Sequence, residues 1–238
     1  MKNMIKKINK KNGLLSRLIW TGCAAAAAMN LFFPPVLSAS LLPPVDEVVS
    51  QLQGMYENTQ DFTANFTQET TVTSIRKTDV EQGVVSYKNP RQMLWDYTLP
   101  KSKKLIINAQ SAWLYLPEEK VAYTQDADQL FKSAALIKFL SGLGQLVDDF
   151  KISYASPEAL DPQGNYLLIL YPKEKGASYQ YLRMTVDKNK YHILQVSFDD
   201  VLGNTTVLKF SRIRLNTKLS SKTFQFQPPA DVSVFKMP

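Results

Sequence analysis

Cysteine is almost absent from this 238-residue chain, which holds only Cys23. One thiol cannot close an internal disulfide, so the fold must be held by packing alone. Histidine is as scarce: His192 stands alone between Tyr191 and Ile193. The chain has no His/Cys metal spacing, no Gly-x-Ser-x-Gly elbow and no phosphate-cradling glycine loop. Gly142-Leu-Gly144 lacks the rest of a dinucleotide fingerprint and reads as a helix-end hinge. Glu118-Glu119, Asp148-Asp149 and Asp199-Asp200 are adjacent pairs, which on a strand point to opposite faces. They read as solvated strand ends rather than acid/base partners. These absences argue against an enzyme and imply no cofactor and no metal. The chain also has no internal repeat, no low-complexity stretch beyond the leader and no linker that would divide it.

What is present begins with an uneven distribution of charge. The formal net charge is +7, with a sequence pI near 9.3. Residues 1–39 hold six of the 28 basic residues and none of the 21 acidic ones, leaving 22 against 21 beyond residue 39. A nucleic-acid-binding reading therefore loses its main support. Lys2, Lys6, Lys7, Lys10, Lys11 and Arg17 precede the apolar stretch 18–33, and Pro34-Pro35-Val-Leu-Ser-Ala-Ser40 follows it. A basic region, an apolar region and a small-residue cleavage zone make up a secretory signal peptide. The apolar stretch is shorter than the roughly 20 residues that span a bilayer. Residues 1–39 are thus expected to be removed, leaving 40–238 as a single domain large enough for a sizeable core. Cys23 follows Gly22, as in lipoprotein leaders, but Trp20 stands where leucine is usual, and the apolar run continues past it to Phe33. It reads as a small residue in a discarded leader, with acylation at Cys23 as the alternative.

Beyond the leader two periodicities alternate. Val45, Val48, Val49, Leu52, Met55 and Tyr56 recur at helical spacing and predict an amphipathic helix over 45–58. From Asp61 the period changes to two: Phe62, Ala64 and Phe66 alternate with polar residues, as do Met93, Trp95, Tyr97 and Leu99 with their neighbours. Further strands are expected over 80–88, 103–108, 112–116, 120–124, 150–155, 166–171, 181–187, 193–199 and 205–215. The breaks at Asn89-Pro90, Leu99-Pro100, 117–120, 187–190 and 202–204 are too short for parallel crossovers, so the sheet reads as an antiparallel meander that curls to protect its edges. The segment 126–149 departs from this rhythm. Its apolar residues, from Leu130 to Leu146, cover more than one helix face, and the surplus must meet a second apolar partner. An exported, curled sheet with an over-apolar helical segment suggests a protein that binds something greasy. Periodicity does not separate a hollow interior from one filled by Trp95, Tyr97, Trp113 and Phe198.

A resemblance adds to this reading. Asp61-Phe-Thr-Ala-Asn-Phe-Thr-Gln68, Gly83-Val-Val-Ser-Tyr-Lys-Asn-Pro90, Leu94-Trp-Asp-Tyr97, Pro100, Ala112-Trp-Leu-Tyr115 and Phe224-Gln-Phe-Gln-Pro-Pro229 followed by Val232 occur in one order. The ordered set resembles the LolA family, periplasmic carriers of outer-membrane lipoproteins in Gram-negative bacteria, over about residues 44–236. The resemblance implies a mainly β fold with α: a curled antiparallel sheet forming an incomplete β-barrel with a helical lid. It further implies a chaperone that binds lipoprotein acyl chains in an apolar cavity. A monomer would take this cargo from an inner-membrane LolCDE-type ABC transporter and deliver it to an outer-membrane LolB-type receptor.

Carried over by position, the cavity would use Phe62, Phe66, Met93, Trp95, Tyr97, Leu182, Met184, Leu194 and Val196. The lid would use Leu136, Ile137, Phe139, Leu140 and Leu143, with Gly142 and Gly144 as flex points. Family members place an arginine just before the strand-opening proline to hold the lid closed. Here Asn89 occupies that position and Arg91 follows the proline, so a latch falls to one of these two residues. A LolB-like, membrane-anchored receptor or other lipid-binding module acylated at Cys23 is the competing reading. An integral outer-membrane barrel is disfavoured, because the strands lack a lipid-facing band and the sequence ends Phe235-Lys-Met-Pro238.

Overall fold

Val45–Glu57 forms α1, with Pro44 at its N-cap and Asp46 and Glu47 in the first turn, where carboxylates complement the positive end of the helix. Its C-terminal end is closed by side chains: Asn58 Nδ2 donates to the Gly54 carbonyl at 2.7 Å and Thr59 Oγ1 to that of Met55 at 2.7 Å. Val48, Val49, Leu52 and Tyr56 form the buried stripe, as their spacing requires. The structure is a computed structural model and describes residues 42–128, 146–174 and 179–237. Among these residues no helix is long and apolar enough to cross a membrane.

Strands follow: β1 (Asp61–Val72), β2 (Lys77–Lys88), β3 (Gln92–Leu99), β4 (Lys103–Ile107), β5 (Ser111–Leu116) and β6 (Val121–Asp126). A helical turn at Leu146–Asp149 then leads into β7 (Phe150–Tyr154), β8 (Tyr166–Pro172), β9 (Tyr179–Val186), β10 (Ile193–Asp200), β11 (Thr205–Leu215) and β12 (Ser233–Lys236). All twelve lie in one sheet, in the order β12-β6-β5-β4-β3-β2-β1-β11-β10-β9-β8-β7. Two antiparallel meanders, β1–β6 and β7–β11, are joined where β1 pairs with β11. The sheet curls without closing, since β12 and β7 remain its two ends. This is the expected incomplete barrel. Two features add to the sequence reading: β12 pairs with β6 in parallel, and Asp148-Asp149 lies in the helical turn rather than at a strand end.

Glycine matters most at Gly83. A Cβ there would lie 2.1 Å from the Asp96 carbonyl oxygen and 2.9 Å from Phe66 Cε1. Gly83 pairs with Phe66 on one side and Tyr97 on the other, and these two rings meet edge to face at 4.8 Å. The missing side chain is what lets the aromatic pair close.

The interior face joins both meanders and the α1 stripe in one apolar cluster. Phe66 meets Trp95 at 5.0 Å and Trp95 meets Phe210 at 6.1 Å, linking β1, β3 and β11. The outer face carries cross-strand ion pairs such as Lys209–Glu69 (2.6 Å) and Lys104–Asp96 (2.8 Å). Phe224, Ile106 and Ala122 are buried apart from the main cluster. Trp113 belongs with this C-terminal segment, 5.4 Å from Phe226. The Asp61 carboxylate anchors the start of that segment, accepting from Thr217 N (2.6 Å), Thr217 Oγ1 (2.9 Å) and Lys218 N (3.0 Å).

Candidate functional site

The interior holds an apolar pocket between α1 and the strands that join the two meanders. Met55 and Tyr56 wall it from the helix. Phe62 and Ala64 of β1, Val85 of β2 and Trp95 of β3 form one side, and Phe210, Ile213 and Leu215 of β11 form the other. His192 and Ile193 line it as well. Its volume is about 20 Å³, room for one water-sized group, so in this conformation the helix sits down on the sheet.

The polar atoms near the pocket are turned onto one another or kept neutral. Trp95 Nε1 donates to Met93 Sδ at 3.0 Å, and the Ile193 N–H donates to the Tyr56 hydroxyl at 3.5 Å. Burial pushes the Tyr56 phenol well above its ordinary range and lifts Tyr87 to about 12. Burial also lowers His192, outweighing the opposing pull of Asp187, which favours the neutral imidazole. A wall this apolar accepts hydrocarbon. Among the described residues the buried Tyr87 hydroxyl has no hydrogen-bond partner.

Toward the β1–β2 turn the apolar interior ends in a polar collar. The Tyr97 hydroxyl donates to Gln68 Oε1 at 3.1 Å, Gln68 Nε2 reaches Glu81 Oε2 at 3.5 Å, and Lys103 pairs with Glu81 at 2.6 Å. Lys103 Nζ also lies 4.2 Å from the Tyr97 ring centroid. Burial, then the Glu81 charge, lifts the Tyr97 phenol to about 12.

Of the residues assigned to the cavity from the sequence, Phe62 and Trp95 line the pocket. Phe66, Met93, Leu182, Met184 and Val196 are buried in the cluster around it. Tyr97 stands in the collar. Leu194 sits at a register shift between Ile193 and Gln195 and is half-buried, and Ile193 takes the inward place. Leu136, Ile137, Phe139, Leu140 and Leu143, with Gly142 and Gly144, lie outside the described residues, as does Cys23. Arg91, in a left-handed conformation (φ 61°) after Pro90, pairs its guanidinium with the Asp128 carboxylate. Asn89 instead donates its backbone N–H to the Gln60 carbonyl at 2.8 Å.

The contribution of β11 was not foreseen. Thr63 pairs with Arg214 and Asn65 with Ser211, so two β11 residues oppose Ala64 alone. Arg212, at φ 51°, absorbs this bulge. It turns Phe210, Ile213 and Leu215 all inward although their sequence spacing breaks alternation. The break between Phe210 and Ile213 was the available signal.

The family model described as outer membrane lipoprotein carrier protein LolA matches residues 57–227. An outer-membrane lipoprotein carrier protein from Hahella chejuensis is 27% identical over 210 residues, covering 87% of this chain and 97% of its own. One from Pseudomonas aeruginosa is 28% identical over 222 residues, covering 92% and 99%. Among solved structures, an uncharacterized conserved protein from Thermus thermophilus shares the fold. Its TM-score is 0.54 at 13% identity, over 81% of this chain and 99% of that one.

Proposed function

The chain belongs to the LolA family of outer membrane lipoprotein carrier proteins, and from that premise we infer that it carries the acyl chains of lipoproteins between the two membranes. The observation that supports this most directly is the uncharged, apolar pocket walled by α1 and by strands from both meanders. Each methylene moved out of water contributes about 0.8 kcal/mol, so acyl chains cannot cross an aqueous compartment unshielded. The pocket, at about 20 Å³, is too small for them as it stands. Cargo entry therefore requires α1 to separate from the sheet, with acyl burial offsetting the cost of opening.

In this reading residues 1–39 direct export and are removed, and residues 40–238 act as a monomer in the periplasm. The lid is formed by Leu136, Ile137, Phe139, Leu140 and Leu143, and Arg91 rather than Asn89 contributes the latch. Cargo comes from a LolCDE-type transporter and passes to a LolB-type receptor. In the same reading the protein is a carrier and not an enzyme, which a pocket lined mostly by aliphatic and aromatic side chains, with Tyr56 and His192 its most polar members, supports. Native mass spectrometry of the purified protein mixed with a triacylated lipopeptide tests this. A one-to-one complex is expected, and Leu136→Asp or Phe139→Asp should abolish cargo release from inner-membrane vesicles while leaving the fold intact. Absence of any acylated complex would overturn the carrier reading.

A further inference from the structure

The turn between β10 and β11 is built with its usual chemistry inverted. Hairpin tips ordinarily present polar side chains to water, yet Val201 and Leu202 project outward here, 78% and 80% exposed. This exposure belongs to an ordered turn. The Asp200 carboxylate accepts from Leu202 N (2.8 Å), Asn204 N (2.9 Å) and Asn204 Nδ2 (2.9 Å), and its carbonyl accepts from Gly203 N (3.0 Å). The neighbouring β1–β2 turn is fastened to it: Thr73 N donates to Asn204 Oδ1 at 3.2 Å and Thr73 Oγ1 to the Gly203 carbonyl at 2.6 Å. That second turn exposes Ile75 (66%), followed by Arg76. Polar side chains thus point inward to satisfy the backbone, and three large apolar ones point out.

We propose that the coupled β1–β2 and β10–β11 turns form a wedge that dips into the headgroup boundary of a lipid bilayer. Three features favour lipid over a protein partner. The turn amides of residues 202, 203 and 204 are already hydrogen-bonded, so entering a medium without water leaves them satisfied. Arg76 is exposed and makes no ion pair among the described residues, placing a cation beside Ile75 where a lipid phosphate would lie. Three side chains also offer far less area than the roughly 1,600 Å² of a standard protein interface, whereas shallow insertion needs no more. Nearby acidic groups are engaged: Asp199 with Arg183 (3.5 Å), Asp79 with Lys77 (2.7 Å) and Asp200 within its own turn. Such a contact is weak and reversible, which suits a protein that visits a membrane without remaining there.

The test is flotation of the purified protein with phosphatidylcholine vesicles, with and without phosphatidylglycerol, against Val201→Ser/Leu202→Ser and Ile75→Ser variants in the same processed form. The exposed sites leave thermal midpoints unchanged. The double variant is expected to lower partitioning at least about tenfold, and Arg76→Ala to lower it only on vesicles containing phosphatidylglycerol. Absence of wild-type flotation, or equal flotation of the double variant, overturns the proposal. Loss of transfer to a receptor without loss of flotation also overturns it, marking the turns as a protein contact. Lipopeptide binding by the same variants should be unchanged. A failure of cargo binding would bear on the carrier reading alone, because the wedge stands apart from the pocket.

Discussion

The Arg91 guanidinium pairs with the Asp128 carboxylate, joining the β2–β3 turn to the chain that leaves β6. Asp128 immediately precedes the segment that carries the sequence-assigned lid. With Asp128 66% exposed, water screens the pair and its worth to global stability stays below about 1 kcal/mol. Arg91→Ala should therefore barely move the thermal midpoint. It should raise the rate at which an environment-sensitive apolar dye enters the protein, measured by stopped flow. Equal entry rates in both proteins would remove Arg91 from the latch.

The pocket wall at Ala64 is a place to add volume. Ala64→Val directs two further methyl groups toward a space of about 20 Å³ and suits a strand. Stability should fall by about 1–3 kcal/mol, and so should affinity for a triacylated peptide. Because Trp95 lines the same pocket, tryptophan emission during a lipopeptide titration reads the change directly.

Two glycines should respond in opposite directions. Gly83→Ala forces a methyl against the Asp96 carbonyl and should destabilise by about 3 kcal/mol or more. Gly54, inside α1, has nothing among the described residues within 4 Å of an added Cβ, so Gly54→Ala should stabilise by about 0.5–1 kcal/mol through helix propensity. Denaturant midpoints of the two variants decide both signs.

Tyr87 carries a buried hydroxyl with no partner among the described residues. Burying such a group unpaired costs about 1–3 kcal/mol. Tyr87→Phe keeps the ring against Phe62, 5.3 Å away, and should leave stability unchanged or higher in urea melts.

Acid should loosen the anchor of the C-terminal segment. Burial alone would raise the Asp61 carboxyl, but the hydrogen bonds from Thr217 and Lys218 outweigh it and hold it below the ordinary value. A depressed carboxyl contributes stability that is complete above its unfolded pKa, near 3.9, and is lost as pH falls through the folded value. Thermal midpoints measured from pH 6 to pH 2 should drop in the acid part of that range, and Asp61→Asn should flatten the drop. Part of the slope will remain, since Asp161, Asp187 and Asp200 are lowered by similar turn hydrogen bonds.

Much of the fold was legible along the chain. The stripe from Val45 to Tyr56 became α1, and Phe62, Ala64 and Phe66 all turned inward, because one-sided burial imposes a period that composition records. The pocket was less legible. Phe62 and Trp95 were assigned to it, but Met55 and Tyr56 were read only as a helix stripe, and the wall from β11 depends on a bulge that breaks alternation at Arg212. Leu194 shows the same effect in reverse, since a register shift hands its inward place to Ile193. Bulges arise from competition between neighbouring strands, and neither strand encodes one alone. β12 was missed because a four-residue exposed strand has no apolar period.

The amino-acid order by itself determined that this protein has no internal disulfide to rely on, that its net positive charge lies ahead of residue 40, and that a helix precedes a long run of strands. Those properties are local, set by side-chain chemistry and spacing. Only the tertiary structure decided which strand meets which: that β1 pairs with β11, that the two meanders share one pocket, and that Val201, Leu202 and Ile75 come out together at one end. These are relations between residues more than a hundred positions apart, and packing alone brings them into contact.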